Sequence, residues 1–225
     1  MGEKVTFPAN GHTCEGWFDS PASGKGPAVV VIQEWWGLVP HIRDVVERFA
    51  AAGFVAVAPD LYHGKTTSSP DAAGKLLMEM DGARAGQEIA AAGSFLLSRP
   101  ECGSARYGVV GFCMGGALAQ YAACNDPNVG AAVSFYGGFK QLPIAWEKLA
   151  APILLIYGEK DEGVPASQAK PLEAKLKALG KEVETMVYPD AGHAFFNDDR
   201  PQAYKKDAAE DAWRRTLELF RKNLA

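Results

Sequence analysis

The stretch Gly111-Phe112-Cys113-Met114-Gly115-Gly116 sets a cysteine between glycines, where an apolar run meets a helix-forming run. It matches the pattern G-x-S-x-G with cysteine in the serine position. The glycines allow a turn tight enough to expose the middle side chain at its tip. The helix that follows, running from Met114 to about Cys124, aims backbone N–H groups and its positive end at the sulfur. Both favour a thiolate, the nucleophilic form of the side chain. Packing beneath a helix is the bland alternative for any cysteine. It suits Cys14, Cys102 and Cys124, which lack these flanks.

A thiol nucleophile works with a base, and the base with an orienting acid. His193, in Asp190-Ala191-Gly192-His193-Ala194-Phe195-Phe196, follows the last strand-like run and precedes the last helix-like one. Imidazole accepts and returns a proton near neutrality. Asp161 comes one short loop after the run 153–157, with Glu162 as an adjacent competitor. Together these give the chain order nucleophile, acid, histidine. His12, His41 and His63 come too early for that order. A fourth group, Glu34, ends an apolar run and meets Trp35 and Trp36. A partly desolvated carboxylate must be paired or protonated, and such groups collect at functional sites.

Positioning these groups requires a rigid frame, and the hydrophobic pattern supplies one. Runs at 28–33, 54–58, 107–111, 131–135, 153–157 and 183–188 are short, continuous and rich in branched residues. Such runs predict strands buried on both faces of a parallel sheet. Residues 4–8 and 12–18 alternate instead and predict an antiparallel edge pair. Helices are predicted from Pro40 to Gly53, from an Asp81 cap to Ser98, over 166–179, and along the stripe Trp213, Leu217, Phe220 and Leu224. The alternation predicts one α/β domain over residues 1–225, a mostly parallel doubly wound sheet with helices on both faces. Catalytic groups then belong beyond the carboxyl ends of the strands, where all four candidates fall. The polar stretch 64–74 predicts a long loop near that edge, either a lid or plain surface.

Composition narrows the function classes. With 23 basic and 27 acidic residues the net charge is -4, which argues against binding nucleic acid through its phosphates. The cluster Arg214, Arg215, Arg221 and Lys222 reads as a solvated helix face. The first ten residues lack the apolar core of a signal peptide, and no apolar run is long enough to span a membrane. The expectation is a soluble, cytoplasmic monomer acting on a small molecule. The four cysteines show no paired zinc-binding spacing.

At these residues the chain resembles the dienelactone hydrolases (carboxymethylenebutenolidases) over nearly its whole length. The resemblance is carried by Gln33-Glu34-Trp35-Trp36-Gly37, Ala58-Pro59-Asp60-Leu61-Tyr62, the Cys113 motif, Phe135-Tyr136-Gly137, Gly158-x-x-Asp161 and Ala191-Gly192-His193-Ala194-Phe195. It implies an α/β-hydrolase fold, a Cys113–His193–Asp161 triad, and a Glu34 that contacts the thiol at rest and helps take its proton. It further implies an oxyanion hole from the N–H groups of Met114 and Trp35, substrate contacts from Trp36, Tyr136 and Phe195, and no metal or organic cofactor. The implied reaction opens a lactone, expels an enolate and hydrolyses the resulting thioester, as in the breakdown of aromatic compounds.

One departure bears on specificity. Family members that open dienelactone hold its carboxylate with arginines, one shortly after the catalytic histidine. Here Asn197 stands at that place, Arg200 follows three residues later, and 68–80 contains no arginine, Lys75 being the nearest cation. The substrate class therefore stays a small ester or lactone, with a general carboxylesterase or thioesterase as the nearest alternative. A non-catalytic binding protein on the same fold would be expected to have lost a triad member. A redox sensor would need a resolving cysteine near Cys113, and the sequence identifies none, Cys102 alone staying open.

Overall fold

The computed structural model describes residues 2–138 and 142–224. Its centre is an eight-stranded sheet in the order β1-β2-β4-β3-β5-β6-β7-β8. The strands are β1 (Glu3–Ala9), β2 (His12–Asp19), β3 (Gly26–Ile32), β4 (Val55–Pro59), β5 (Cys102–Phe112), β6 (Val129–Phe135), β7 (Ile153–Gly158) and β8 (Val183–Tyr188). β1 pairs with β2 and β2 with β4 antiparallel, and every other pairing is parallel. The alternating run and the continuous runs thus sort into the strand types that their burial requires. β1 and β2 bury alternate residues, whereas β4, β6 and β7 are buried throughout.

Both faces of the sheet are covered. Along β3, Val29 and Val31 enter the core under α1 (Pro40–Ala51) and α6 (Lys206–Leu224). Val30 and Ile32 enter the opposite core, under α3 (Gly82–Leu97) and α4 (Met114–Asn125). Local chemistry fixes the helix starts. Pro40 opens α1, where the missing N–H costs nothing. Asp81 caps α3 by accepting from the N–H groups of Ala83 and Arg84 at 2.9 and 3.1 Å.

Three expectations change. The stretch 64–74 is not one long loop, because α2 (Pro70–Glu79) begins inside it. Pro70 presets the first turn, Ala73 is buried, and Leu76, Leu77 and Met80 pack on the core at helical spacing. The run 166–179 is split into a short 3₁₀ turn, Ala166–Gln168, and α5 (Ala169–Ala178), with Pro171 in the first turn of α5. β5 starts at Cys102, five residues early, because its exposed lead-in pairs with Gly26 beyond an irregularity in register. No helix among the described residues is long and apolar enough to cross a membrane.

The strand order carries the functional consequence. From β3 the chain turns to β4 on one side, and β5 lies on the other. This reversal opens a crevice at the carboxyl ends of β3 and β5, the place where open α/β sheets bind ligands. Glu34 follows β3 there, and Cys113 follows β5.

Candidate active site

Cys113 sits between the end of β5 and the start of α4 with φ 57° and ψ −117°. A non-glycine residue in that region is strained by about 1–3 kcal/mol and persists only where its surroundings impose it. Close packing does so here. A Cβ on Gly111 would lie 1.9 Å from the Gly115 carbonyl oxygen, and one on Gly115 would lie 2.4 Å from that of Ile32. Only hydrogen fits at both places, so the elbow is clamped against β3. The Cys113 N–H donates to the Phe135 carbonyl at 3.1 Å, and its carbonyl accepts from Gly116 at 3.0 Å. Met114 is the first residue of α4, where helical N–H groups have no intrahelical partner.

His193 lies in the loop between β8 and α6, and its Nδ1 is 2.7 Å from Asp161 Oδ2. The other Asp161 oxygen accepts from the N–H groups of Gly163 and Val164 at 2.9 and 2.8 Å. The carboxylate side chain is fully buried, while that of the imidazole is one-third exposed (33%). Glu162, the adjacent competitor, is exposed. His193 also hydrogen-bonds Cys113. With Nδ1 given to Asp161, Nε2 is left for the thiol. Burial works against charging the ring, but the bonds to Asp161 and Cys113 outweigh it and raise His193 from 6.5 to about 10.

Glu34 is 1% exposed. Burial raises its pKa above the ordinary 4.5, although His41, the Asn197 bond, His193 and Arg200 all oppose the rise. Its Oε2 accepts from Asn197 Nδ2 at 2.8 Å. Glu34 thus bonds Asn197, and Cys113 bonds His193, beside the resting contact that the resemblance implies. Tyr136, at φ 39°, is fully buried with its ring 5.0 Å from that of His193. Its hydroxyl has no partner among the described residues. Burial, and the nearby Glu34, Cys113 and Asp161, hold it well above the usual phenol range, as a neutral donor.

Phe195, expected to touch substrate, does not face the crevice. It is fully buried between Tyr136 at 5.6 Å and Tyr188 at 5.4 Å. Ala194, at φ 61°, turns the chain so that the ring behind His193 enters the core. Trp36 does face open space. It lines a cleft of about 370 Å³ together with His41, Thr67, Asn197 and Arg200. The Arg200 guanidinium stands 5.4 Å above the Trp36 ring. Lys75 is exposed on α2 and lies outside this cleft.

Two residues of the site escaped the sequence reading. Asn197 was visible only as the place of a missing arginine, yet it joins Glu34 to the cleft wall. His41 is buried and acts on Glu34 electrostatically. Its Nδ1 lies 3.2 Å from Asp198 Oδ1, near enough for attraction but out of line for a hydrogen bond. Its position at the start of α1, after the two tryptophans, was the available signal.

Comparison with known proteins agrees with this geometry. A profile of the dienelactone hydrolase family matches residues 15–224. The chain belongs to the dienelactone hydrolase family. A protein named usf from Aquifex pyrophilus is 38% identical, with all of both chains covered. A provisionally named carboxymethylenebutenolidase of Aquifex aeolicus is 35% identical over 98% of each chain. The crystal structure of a provisionally named dienelactone hydrolase from Klebsiella pneumoniae superimposes with a TM-score of 0.89 at 30% identity over 98% of each chain. As a member of the dienelactone hydrolase family, the chain is a hydrolase, with the α/β-hydrolase architecture that its sheet order displays.

Proposed function

We propose that this hydrolase opens a small ester or lactone by covalent catalysis at Cys113, with His193 as base and then acid and Asp161 as its orienting partner. The observation that carries the reading is the imidazole held between the Asp161 carboxylate, at 2.7 Å, and the thiol of a half-buried residue strained into a tight turn. With its pKa raised to about 10, His193 already holds the thiol proton near neutrality, and the Cys113 thiolate attacks the carbonyl carbon. The N–H groups of Met114 and Trp35 receive the developing oxyanion. The alkoxide or enolate leaves with the proton from His193, and water then hydrolyses the thioester by the same route in reverse. Glu34 and the neutral Tyr136 hydroxyl border this centre and shape its field. The family name and those of the relatives support a lactone as the bond opened.

The cleft is lined by both Arg200 and Asp199, and on this reading Arg200 meets an anionic group of the substrate. Arg200, braced on Trp36, supplies the cation that position 197 lacks. Two measurements test the mechanism together. Cys113→Ala should lower kcat by more than about 10³-fold. A slow ester should leave an acyl adduct on the wild-type chain, seen by intact-mass spectrometry and mapped to Cys113. Turnover retained by Cys113→Ala, or an adduct mapped elsewhere, would overturn the thioester route.

A further inference from the structure

Away from the elbow, four side chains with metal-binding chemistry meet from three elements. His12 and Cys14 are alternate residues of β2 and so share one face. Glu88 comes from α3, and His63 from the loop after β4. Cys14 Sγ lies 3.4 Å from His12 Nε2, and Glu88 Oε1 lies 3.1 Å from the same nitrogen. These three ligand atoms all fall within 4.8 Å of one another. His63 Nε2 is 3.5 Å from the same Glu88 oxygen.

The arrangement does not form a second triad. A relay would use the two imidazole nitrogens for two different partners, as His193 does. Here sulfur and carboxylate oxygen converge on one nitrogen. Convergence on a point is what a cation requires. In a tetrahedral zinc site, bonds of about 2.0 Å to N and O and 2.3 Å to S place N and O about 3.3 Å apart, and N and S about 3.5 Å apart. The observed 3.1 and 3.4 Å are close to those edges. His12 Nδ1 faces the Asn10 carbonyl at 3.5 Å, so Nε2 is the nitrogen that Cys14, Glu88 and Arg84 Nη2 (3.3 Å) all approach.

We propose that His12, Cys14, Glu88 and His63 form a binding site for a divalent metal ion of zinc-like preference, separate from the hydrolytic centre. Glu88, with its side chain 2% exposed, is a buried carboxylate that needs a cation. Arg84 serves that need in the metal-free state, donating from Nε to Glu88 Oε1 at 2.9 Å. The Arg84 side chain is half exposed (50%), so it can withdraw into solvent when the ion enters. A cavity of about 190 Å³ lined by His63, Arg84 and Glu88 gives the entry path. The Cys14 proton passes to solvent on binding. Thiolate and carboxylate then neutralise the two positive charges, His12 is the third preassembled ligand, and His63, beside Glu88 but outside that group of three, turns in to complete the shell. The ion would tie β2, α3 and the β4–α2 loop together. That loop touches the elbow through the Tyr62 hydroxyl, which donates to Met114 Sδ at 3.3 Å.

The test uses the full chain carrying Cys113→Ala, so that neither the elbow thiol nor its pairing with His193 holds metal. Zinc is titrated by calorimetry, and cobalt(II) serves as the spectroscopic probe. The proposal expects one equivalent of each and a thiolate-to-cobalt charge-transfer band. Adding Cys14→Ser should abolish the band, and Cys14→Ser and Glu88→Gln should each weaken zinc by at least about tenfold. Arg84→Gln should tighten zinc, because it removes the competing cation and leaves every ligand in place. One-to-one binding that Cys14→Ser leaves unchanged would overturn the site. So would a lack of binding in Arg84→Gln, a surface change that leaves the ligands and the fold intact.

Discussion

Asn197 Nδ2 donates to Glu34 Oε2 across 2.8 Å, joining residues 163 positions apart in a buried pair at the inner wall of the cleft. The bond meets part of the hydrogen-bonding need of a carboxylate that has been taken out of water. It does not cancel the desolvation, so the Glu34 pKa stays raised.

This pair makes stability depend on pH. A carboxyl whose folded pKa lies above its unfolded 4.5 binds more protons when folded. Its contribution is fully present below the unfolded value and is lost as pH rises through the folded one. In Glu34→Gln the amide oxygen still accepts from Asn197, but no charge forms. That variant should gain stability over wild type as pH rises from about 4 to 8, with little difference at the acid end. Asn197→Ala should lose about 1–3 kcal/mol at pH 8 and less near pH 4, because its Glu34 oxygen is left without a donor. Urea unfolding of the three proteins across this range measures both effects. A Glu34→Gln advantage that does not vary with pH would remove Glu34 ionisation as their cause.

The elbow gives a second prediction. A Cβ on Gly115 would lie 2.4 and 2.5 Å from the carbonyl oxygens of Ile32 and Gln33, neither of which is a flexible side-chain tip. Gly115→Ala must therefore push α4 away from the end of β3, at a cost of about 1–3 kcal/mol. The same shift separates Cys113 from Glu34 and Trp35. Activity measured where the variant is still fully folded should fall by more than about tenfold, because small misplacements are costly in catalysis. A variant that is destabilised but fully active would show that the two strand ends need not be in register.

These two cases mark what the sequence can and cannot disclose. The glycines about Cys113 were legible because a nucleophile turn imposes its constraint within six consecutive residues. The central strands β3, β4, β6 and β7 were legible because burial on both faces leaves continuous apolar runs. The chain order of Cys113, Asp161 and His193 was legible once those runs were placed. The Glu34–Asn197 bond was not, since nothing local marks Asn197 as a donor to a carboxylate 163 positions away. Nor was the cluster of His12, Cys14, His63 and Glu88, which the packing of α3 and the β4–α2 loop about β2 assembles and no spacing rule describes. The polar composition of 64–74 hid α2, although Pro70, Ala73, Leu76 and Leu77 held its period. Phe195 misled for a related reason: the sense of the turn at Ala194 decides which way its ring points.

The bond between His193 and Asp161 yields a prediction of opposite charge type. Burial disfavours the imidazolium, but the Asp161 bond and Cys113 raise it from 6.5 to about 10. A folded pKa above the unfolded one contributes stability that is complete below about 6.5 and is lost as pH rises through about 10. The unfolding free energy of wild type relative to His193→Gln should therefore shrink across that window. The ring is one-third exposed (33%), so the effect will be screened by salt. Asp161→Asn should lower kcat by about 10²–10⁴-fold while leaving KM nearly unchanged, because it spoils the tautomer rather than the pocket. Full activity in that variant would remove Asp161 from the triad.

Arg200 decides the question of substrate charge. It stands 5.4 Å above Trp36 on the wall of the cleft, and its guanidinium is the cation available where position 197 carries an amide. If it holds a substrate carboxylate, Arg200→Ala should raise KM for a carboxylate-bearing lactone by about tenfold or more, the value of one charge-assisted hydrogen bond. The same change should leave a neutral ester such as p-nitrophenyl acetate within about twofold, since Cys113 and His193 are untouched. Trp36→Ala should reproduce part of the effect by freeing the guanidinium from its aromatic brace. An equal rise in KM for the charged and neutral substrates would instead make Arg200 a wall of the cleft, and would point to a neutral ester or lactone as the molecule this hydrolase is built to open.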